Sequence, residues 1–288
     1  MPPVPFTKMS GVGNDFIIVD NRAGILNTIG VHLFARRVCT RRMSLGADQL
    51  MVIEPPTAGG DFSMRTINPD GTEVKMCGNA SRCVARYAHA RGLAGTRMTI
   101  DTPGGPVYAW VAGDDVRVQL QLTSRIERDR ALVADGDRHV AHTVDVSGAP
   151  HAVVYLPDAS TASRDAIHRL GAAIRHHADF PQGINVNFVQ PLDRHTLWQR
   201  TFERGVEGET LACGTGAVAS SVISALHGQV DSPVRVRVLG GDLRVSFERQ
   251  GDGFDALFLG GGARFVVEGV VHPEAWEWGE TEAAPAHA

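Results

Sequence analysis

Two of the four cysteines, Cys77 and Cys213, stand in matching surroundings that suit proton-transfer chemistry. Each precedes a glycine and then a segment rich in small residues, 81–90 or 217–226, that predicts a helix. A helix N-terminus carries partial positive charge and unpaired N–H groups, which stabilise a thiolate and can hold a carboxylate. If two such ends faced each other across one α-carbon, one thiolate could remove the α-proton while the opposite thiol returned a proton to the other face. The pattern therefore predicts inversion of an amino acid's stereocentre, with the N–H groups stabilising the charge that builds on its carboxylate.

Both cysteine segments belong to an internal repeat, 64–80 and 199–216. In each copy an Arg-Thr pair precedes a glycine-containing turn, and a glutamate lies four residues before Cys-Gly. The arginine and cysteine are 12 positions apart in the first copy (65 to 77) and 13 apart in the second (200 to 213), which fits one inserted residue, Glu207. The chain is therefore predicted to consist of two related halves, each presenting one cysteine.

The other two cysteines, Cys39 and Cys83, lack this context. We interpret both as small buried apolar side chains, Cys83 because it falls inside the helix predicted after Cys77. No two cysteines are spaced Cys-x-x-Cys, so neither a redox motif nor a zinc ribbon is predicted. Four cysteines in 288 residues do not make a disulfide scaffold, and a reduced, cytoplasmic protein is expected.

The elements that must position these residues are mostly strands. Period-two alternation predicts strands in six segments: 16–20, 115–122, 184–190, 234–239, 243–247 and 263–271. Helices are predicted at 31–42 and 164–177, besides the two that follow the cysteines. Many strands with scattered helices and no steady βαβ alternation predict the α+β class. The small, polar tail 279–288 is predicted to be disordered.

Composition excludes several classes of partner. Hydrophobic residues make up 43% and charged residues 21% of the chain, enough for a core in one large domain or two ordinary ones. The net charge of -4 gives no attraction to nucleic acid or anionic lipid, so neither is expected as a partner. The sequence has no apolar run long enough for a membrane span, and residues 1–10 lack the apolar region of a signal peptide.

Six ordered blocks carry a family resemblance: 8–16 (KMSGVGNDF), 46–49 (GADQ), 68–79 (NPDGTEVKMCGN), 150–151 (PH), 183–187 (GINVN) and 203–216 (ERGVEGETLACGTG). This series resembles the diaminopimelate epimerase family, whose members epimerise an amino acid with two cysteines and no cofactor. A lone Cys-Gly-x-Gly would be a weak signal, whereas this many blocks in order make a specific one. The Gly11-x-Gly13 pair is not a dinucleotide fingerprint, because a third glycine is missing.

The resemblance implies a fold of two pseudo-symmetric lobes. Each lobe would be a curled mixed or antiparallel sheet wrapped around a central helix, with the active site in the cleft between them. The N-terminal lobe, 1–122 plus 262–288, would carry Cys77, and the C-terminal lobe, 123–261, would carry Cys213. The implied activity is interconversion of LL- and meso-2,6-diaminopimelate by a homodimer, without pyridoxal phosphate or metal.

The resemblance also implies residue roles. Cys77 and Cys213 would be base and acid, exchanging roles with direction. Glu203 would hold the α-ammonium, and with His151 it would support the proton transfers. Backbone N–H groups would hold the reacting carboxylate: Gly78, Asn79, Gly214 and Thr215. Four side chains would hold the distal end of the amino acid: Asn14, Asn68, Asn185 and Arg204. Arg204 suits a distal carboxylate because guanidinium binds it bidentately. Gln49 would line the pocket.

From residue type alone, blander interpretations stay open. The asparagines at 14, 68 and 185 could be turn or strand-end residues. Glu203 and Arg204 could form a solvated charge pair, and His151 could be a core histidine with its hydrogen bonds satisfied. The functional roles therefore depend on the resemblance and on the repeat.

The chain departs from the family pattern at Ser10, Ala80, Ala149 and the inserted Glu207. Ala149 matters most, because relatives often place there an asparagine that contacts the distal end of the substrate. A racemase of another amino acid, with the same cysteine pair, is therefore an alternative. A thiol redox-sensing or binding protein is another. A Cys–His hydrolase using Cys213 and His151 would leave Cys77 and the repeat unexplained.

Overall fold

The computed structural model of the chain describes residues 2–278, and the predicted disordered tail 279–288 lies outside them. The strands are β1 Val4–Gly11, β2 Asn14–Asp20, β3 Gln49–Glu54, β4 Phe62–Ile67, β5 Glu73–Val74, β6 Arg97–Thr102, β7 Gly105–Ala112, β8 Asp115–Gln119, β9 Glu127–Ala134, β10 Asp137–Val146, β11 Ala149–Tyr155, β12 Asn185–Asp193, β13 Thr196–Glu203, β14 Gly208–Thr210, β15 Val234–Val238, β16 Gly241–Gln250, β17 Gly253–Gly262 and β18 Arg264–Val271. The α-helices are α1 Val31–Val38, α2 Gly78–Ala90, α3 Arg164–Arg175 and α4 Gly214–Leu226, and a short 3-10 helix spans Pro273–Ala275. Over the described residues, no helix is both long enough and apolar enough to cross a membrane.

The strand pairings of the first half recur in the same order in the second. β1 pairs antiparallel with β2, β2 parallel with β3, β3 antiparallel with β4, and β4 parallel with β6, which continues antiparallel through β7 to β8. The strands β10, β11, β12, β13, β15, β16 and β17 repeat this series. A helix lies in the crossover of each parallel pair, α1 and α2 in the first half and α3 and α4 in the second. The internal repeat in the sequence is thus a repeat of strand pairing.

The two series are joined by the antiparallel pairing of β8 with β17. Strand β9 extends the second series by pairing antiparallel with β10, and β18 returns to pair antiparallel with β1 of the first series. The α+β prediction is confirmed, since strands dominate and helices are scattered among them. The predicted helix 31–42 is too long. It ends at Val38, and the residues after it form turns in which Arg42 has a φ of 71°.

The cysteine-bearing helices α2 and α4 are the most enclosed elements, and both pack into one shared hydrophobic cluster that includes Val84 and Val222. Their alanine, glycine and serine residues leave room for strands to approach closely from several sides. Helices α1 and α3 instead pack in separate clusters, around Phe34 and Ile174 respectively. The two helices that carry the cysteines are therefore held rigidly by the core.

Candidate active site

Cys77 and Cys213 occupy the cap position before the first turn of α2 and α4. Both have extended backbone, with φ and ψ of -136° and 116° at Cys77 and of -124° and 109° at Cys213. This conformation starts each helix at the following glycine and leaves the N–H groups of the first turn beside the thiol. Both cysteines are free thiols, and only Cys77 is partly exposed.

The glycines after the cysteines allow the two helix starts to converge. A Cβ on Gly78 would lie 3.3 Å from Leu259 Cδ2, and a Cβ on Gly214 would lie 2.6 Å from the same atom. The Gly214 position would also be 2.8 Å from Asn79 Oδ1, a side-chain atom of the opposite helix. No side chain fits at Gly214, so both helix N-termini can direct backbone N–H groups toward one small region.

Burial raises the pKa of both thiols. At Cys77 the backbone N–H groups of Ala80 and Asn79 oppose this increase, and Glu203 adds to it. At Cys213 the Glu203 charge adds to burial, while the N–H of Gly216 opposes it. The helix ends thus act in the direction expected from the sequence, but burial outweighs them.

Cys39 and Cys83 have the surroundings predicted for structural cysteines. Cys39 is 2% exposed and Cys83 is 0% exposed. Burial raises the pKa of each thiol to about 12. Their interpretation as buried apolar side chains is confirmed.

Strand register places several of the predicted site residues at equivalent points of the two halves. Phe16 is opposite Gln49 in the parallel pair β2–β3, and His151 is opposite Asn185 in the parallel pair β11–β12. Gln49 is the first residue of β3, and Asn185 is the first residue of the equivalent strand β12. In the same way, Asn14 begins β2 and Ala149 begins the equivalent strand β11. Similarly, Asn68 follows β4 where Glu203 ends β13. The repeat therefore brings polar side chains to the same edge of both halves.

His151 is completely buried and is connected to Cys213 through Thr215. Its Nδ1 lies 3.2 Å from Asn187 Nδ2, which can only donate, so Nδ1 is the acceptor and Nε2 carries the proton. Nε2 donates to Thr215 Oγ1 at 2.9 Å, and that oxygen lies 3.7 Å from Cys213 Sγ. Burial lowers the pKa of His151 to about 3, and the charge of Arg204 contributes, so the ring is neutral. The hydroxyl proton of Thr215 is then available to the sulfur.

Glu203 lies close enough to both thiols for its charge to raise the pKa of each. Burial raises the pKa of Glu203 itself, and the nearby charge of Asp48 adds to this increase. A positively charged ammonium group placed beside Glu203 would oppose both effects. This environment fits a carboxylate that receives a substrate ammonium group and does not fit a solvated surface charge.

The side chains of Asn14 and Asn79 form one chain of hydrogen bonds. Asn79 Nδ2 donates to Asn14 Oδ1 at 2.6 Å, and Asn14 Nδ2 donates to Asp48 Oδ2 at 3.1 Å. Asn79 Nδ2 also lies 3.4 Å from the carbonyl of Ala212, the residue before the second cysteine. These hydrogen bonds connect the beginning of α2 to the segment that leads into α4.

Gln49, which was predicted to line the pocket, contacts Asn68, one of the predicted distal residues. Gln49 Nε2 donates to Asn68 Oδ1 at 2.9 Å, and Asn68 Nδ2 donates to Thr72 Oγ1 at 3.1 Å. Asn68 therefore combines the turn role expected of its residue type with a position beside Gln49. Neither role excludes the other, and substrate contact at these two residues stays a prediction.

Asn185 positions Arg204. Asn185 Nδ2 donates to the Pro150 carbonyl at 2.9 Å, and its Oδ1 accepts the backbone N–H of Arg204 at 2.9 Å. The Arg204 side chain is exposed, and within residues 2–278 no carboxylate forms an ion pair with it. The solvated Glu203–Arg204 pair considered from sequence is therefore not formed. A guanidinium held in this way is available to a carboxylate from solution.

The inserted residue, Glu207, ties the loop that carries Arg204 to α3. It has a φ of 55°, accepts the backbone N–H of Gly205 at 2.9 Å, and pairs with Arg175 of α3 at 2.9 Å. The insertion therefore has a structural use, since it fixes the turn between β13 and β14.

The repeated arginine and glutamate form a bidentate ion pair in each half. Arg65 donates to Glu73 through Nε at 2.9 Å and through Nη2 at 2.7 Å. Arg200 pairs in the same way with Glu209, and that pair is more deeply buried. Each pair joins two neighbouring strands just before a cysteine. The arginine and glutamate of the sequence repeat thus hold each cysteine segment in place.

Three residues that bear on the site were not assigned a role from the sequence: Asp48, Asn187 and Arg82. Asp48 and Asn187 lie inside the sequence blocks that carry the family resemblance, 46–49 and 183–187. Each is a polar residue next to apolar ones, and this contrast is the sequence feature that could have indicated a role. Arg82 lies in the helix after Cys77, at a position that looks like an exposed helix face, and yet it is 0% exposed. Only the three-dimensional fold reveals that burial.

A group of potential metal ligands lies elsewhere. In the part of the chain that the structure describes, Asp129, His142 and His227 have ligand atoms within 4.8 Å of one another. His227 follows the C-terminus of α4, the end opposite Cys213. His142 Nδ1 accepts the backbone N–H of Asp129 at 3.2 Å. The prediction that the reaction uses no metal stays a prediction.

This fold is shared with solved racemases and epimerases. A phenazine biosynthesis protein of the PhzF family from Bacillus anthracis superposes with a TM-score of 0.71 at 15% identity, covering 94% of this chain and 100% of that one. A probable proline racemase from Agrobacterium radiobacter gives a TM-score of 0.69 at 16% identity, covering 96% and 97%. These structures define the fold class.

The sequence itself places the chain more narrowly. The family profile for diaminopimelate epimerase matches residues 6–125 and 143–266. The diaminopimelate epimerase of Aquifex aeolicus is 38% identical over 284 residues, covering 95% of this chain and 99% of that protein. That of Pseudomonas entomophila is 37% identical over 280 residues, covering 92% and 98%. The chain belongs to the diaminopimelate epimerase family.

Proposed function

We propose that the chain interconverts LL- and meso-2,6-diaminopimelate by two-base proton transfer, a step that supplies lysine and peptidoglycan precursors. The observation that carries this proposal is the convergence of the two helix starts. Each presents a free cysteine, and the glycine after each approaches the same Leu259 atom. In a member of the diaminopimelate epimerase family, this arrangement provides one thiol for each face of the α-carbon of the amino acid.

The substrate carboxylate binds at the backbone N–H groups of Gly78, Asn79, Gly214 and Thr215. Glu203 receives the α-ammonium, and Arg204 receives the distal carboxylate. One cysteine, as thiolate, takes the α-proton, and the electron pair moves onto the carboxylate as an enediolate. The N–H groups stabilise this charge more than they stabilise the ground state. The opposite cysteine then donates its proton to the other face of the carbon and becomes the thiolate.

His151 and Thr215 assist Cys213 in this scheme. His151 donates to Thr215 Oγ1, which leaves the hydroxyl proton of Thr215 to stabilise the Cys213 thiolate. Asn14, Asn68 and Asn185 position the distal end of the substrate, Asn185 by holding Arg204, and Gln49 lines the pocket. The reaction needs no pyridoxal phosphate and no metal, because the helix ends supply the stabilisation of the carbanion.

The test is exchange of the α-proton in heavy water. Reduced protein is incubated with LL-diaminopimelate and no added cofactor, and loss of the α-hydrogen signal and formation of the meso product are followed by NMR. Cys77→Ala and Cys213→Ala should each lower epimerisation by about 10²–10⁴-fold, the usual contribution of an acid–base group. Cys83→Ala, a matched cysteine inside α2, should keep activity near that of the wild type.

Other outcomes assign other functions. A Cys–His hydrolase would survive Cys77→Ala, and a thiol redox or binding protein would show no exchange with any amino acid. Ala149 favours a racemase of another amino acid as the second candidate, because its side chain offers no hydrogen bond to a distal carboxylate. Exchange of monocarboxylic amino acids without exchange of diaminopimelate would establish that candidate.

We further propose the two-lobe division at 1–122 plus 262–288 and 123–261, a cytoplasmic location, and a homodimer. The repeated strand pairings support the lobes, and the cysteine content supports the location. The homodimer is supported by the family resemblance and by three exposed valines on β18: Val266, Val267 and Val270. A monomeric mass by light scattering would exclude the dimer.

A further inference from the structure

Arg82 is a buried cation, and no carboxylate of residues 2–278 pairs with it. It lies on α2 five positions after Cys77, and it is 0% exposed. One of its nitrogens, Nη1, donates to Asn79 Oδ1 at 3.0 Å, whereas Nε and Nη2 have no hydrogen-bond partner. Burial opposes the charge, yet a guanidinium stays protonated in proteins.

The guanidinium lies behind the two helix starts. A Cβ on Gly261 of β17 would be 3.4 Å from both Nε and Nη2 of Arg82, so the absence of a side chain there makes room for the guanidinium. The amide oxygen that Arg82 holds, Asn79 Oδ1, would be 2.8 Å from a Cβ on Gly214. The cation and its amide partner therefore occupy the space beneath the point where α2 and α4 converge.

The second half of the molecule has no such cation. The residue five positions after Cys213 is Val218, which is fully buried and apolar. The groups that assist Cys213 are the neutral Thr215 and, through it, the neutral His151. The two cysteines therefore occupy equivalent positions in the fold and different electrostatic surroundings.

An isolated buried charge costs several kcal/mol in real proteins. The thiols that favour the charged form of Arg82 are Cys83 and Cys77, and Cys83 is the fully buried cysteine inside α2. The charged and titratable groups that act on Cys77 are Glu203, which disfavours its thiolate, and Arg82, which favours it. At Cys213 the Glu203 charge and Cys77 both disfavour the thiolate, and the groups that favour it are the N–H of Gly216 and the hydroxyl of Thr215.

We propose that Arg82 is a positioning residue that makes Cys77, and not Cys213, the thiolate of the resting enzyme. Resting on the proposed two-base function, this assigns Cys77 as the base and Cys213 as the acid at the start of a cycle on the free enzyme. After a turnover in that direction Cys77 carries the proton and Cys213 is the thiolate. A proton transfer that protonates Cys213 and deprotonates Cys77 then restores the Cys77 thiolate beside Arg82. Arg82 also holds the Asn79 amide so that its Nδ2 group faces Asn14.

The test is alkylation of each thiol as a function of pH. Wild type, Arg82→Met and Arg82→Lys are treated with iodoacetamide, and the modification of each cysteine is quantified by peptide mass spectrometry. In the wild type, Cys77 should reach half-maximal reactivity at a lower pH than Cys213. Arg82→Met should slow alkylation of Cys77 at neutral pH about tenfold for each unit by which its pKa rises, and leave Cys213 unchanged. Arg82→Lys should lie between the two proteins.

Stability measurements separate this role from a structural one. Urea unfolding of each variant shows whether the fold is kept, and Cys213 in the same protein is the internal control for the site. Equal slowing of both thiols in Arg82→Met, or half-maximal reactivity of Cys213 at a lower pH than Cys77 in the wild type, would each overturn the proposal. Alkylation requires no turnover, so a failed exchange assay would refute the proposed substrate without deciding the role of Arg82.

Discussion

Replacing Glu209 with glutamine tests how the cysteine segment of the second half is held, and Glu73→Gln makes the same change in the first half. Each substitution removes the charge of one bidentate Arg–Glu pair and keeps the shape of the side chain. The pairs differ in burial. Arg200 and Glu209 are 6% and 2% exposed, whereas Arg65 and Glu73 are both 27% exposed. The same chemical change should therefore have different costs at equivalent positions.

The magnitudes follow from what each arginine retains. Arg200 would keep the Ala159 and Ala162 carbonyls at 3.3 and 2.9 Å, but its charge would be buried and uncompensated, at a cost of about 3–5 kcal/mol. Arg65 would keep Glu54 at 3.7 Å and partial contact with water, so that loss should be about 0.2–1 kcal/mol. In a chain of this size each kcal/mol lowers Tm by about 2–4 °C. We expect decreases of roughly 6–20 °C for Glu209→Gln and under about 4 °C for Glu73→Gln.

The assay is thermal unfolding of both variants and the wild type by circular dichroism at pH 7. The double variant Arg200→Met/Glu209→Met is the control, because removing both charges should recover much of the lost stability. Equal Tm decreases for the two single variants would refute the reasoning that burial decides the cost. Failure of the double variant to recover would show that the pair is held for its geometry and not for its charge balance.

Two further predictions concern the site. His151→Gln should make stability fall less steeply as the pH is lowered. The pKa of His151 is about 3 in the folded protein and near 6.5 in the unfolded chain, so on acidification the unfolded chain binds the proton first. Below pH 6.5 the wild type should lose up to about 1.4 kcal/mol per pH unit from this group, and urea midpoints at pH 7 and pH 5 that fall equally in both proteins would contradict the assignment. Ala149→Asn should lower KM for diaminopimelate about fivefold with kcat nearly unchanged, because one added hydrogen bond contributes about 1 kcal/mol. Ala149→Val, which adds no donor, should not lower KM, and an Asn variant that behaves like the Val variant would exclude this position from the distal site.

The sequence predicted the helices that follow the cysteines because their pattern is local: Cys-Gly ends a loop, and small residues then continue for about three turns. It also predicted the repeat, since a duplicated fold repeats its turns and ion pairs in order. The end of α1 was missed because Thr40 and the residues after it are compatible with a helix, and tertiary packing decides that they form turns.

Electrostatic surroundings could not be predicted in the same way. Glu203, His151 and Arg82 have ordinary side chains whose behaviour depends on what is packed around them. The pKa of Glu203 is raised, that of His151 is lowered, and the charge of Arg82 is left uncompensated, all through burial. Burial at these positions arises from contacts between segments far apart in sequence, and residue type and spacing carry no record of them.

A duplicated fold presents a two-base enzyme with a difficulty. Two equivalent thiols beside one carboxylate, Glu203, would both be held protonated, and neither could begin the reaction. The equivalent positions differ where this difficulty would be resolved: Arg82 lies five positions after Cys77, and its counterpart in the second half is the buried, apolar Val218. Thr215 lies two positions after Cys213, as Asn79 lies two positions after Cys77. The Thr215 hydroxyl is a neutral donor beside the second thiol, whereas the Asn79 amide near the first thiol is held by the Arg82 cation. In the proposed reaction, the equivalent positions in the two halves place one thiol on each face of the α-carbon, and the broken electrostatic symmetry allows one of them to start as the base.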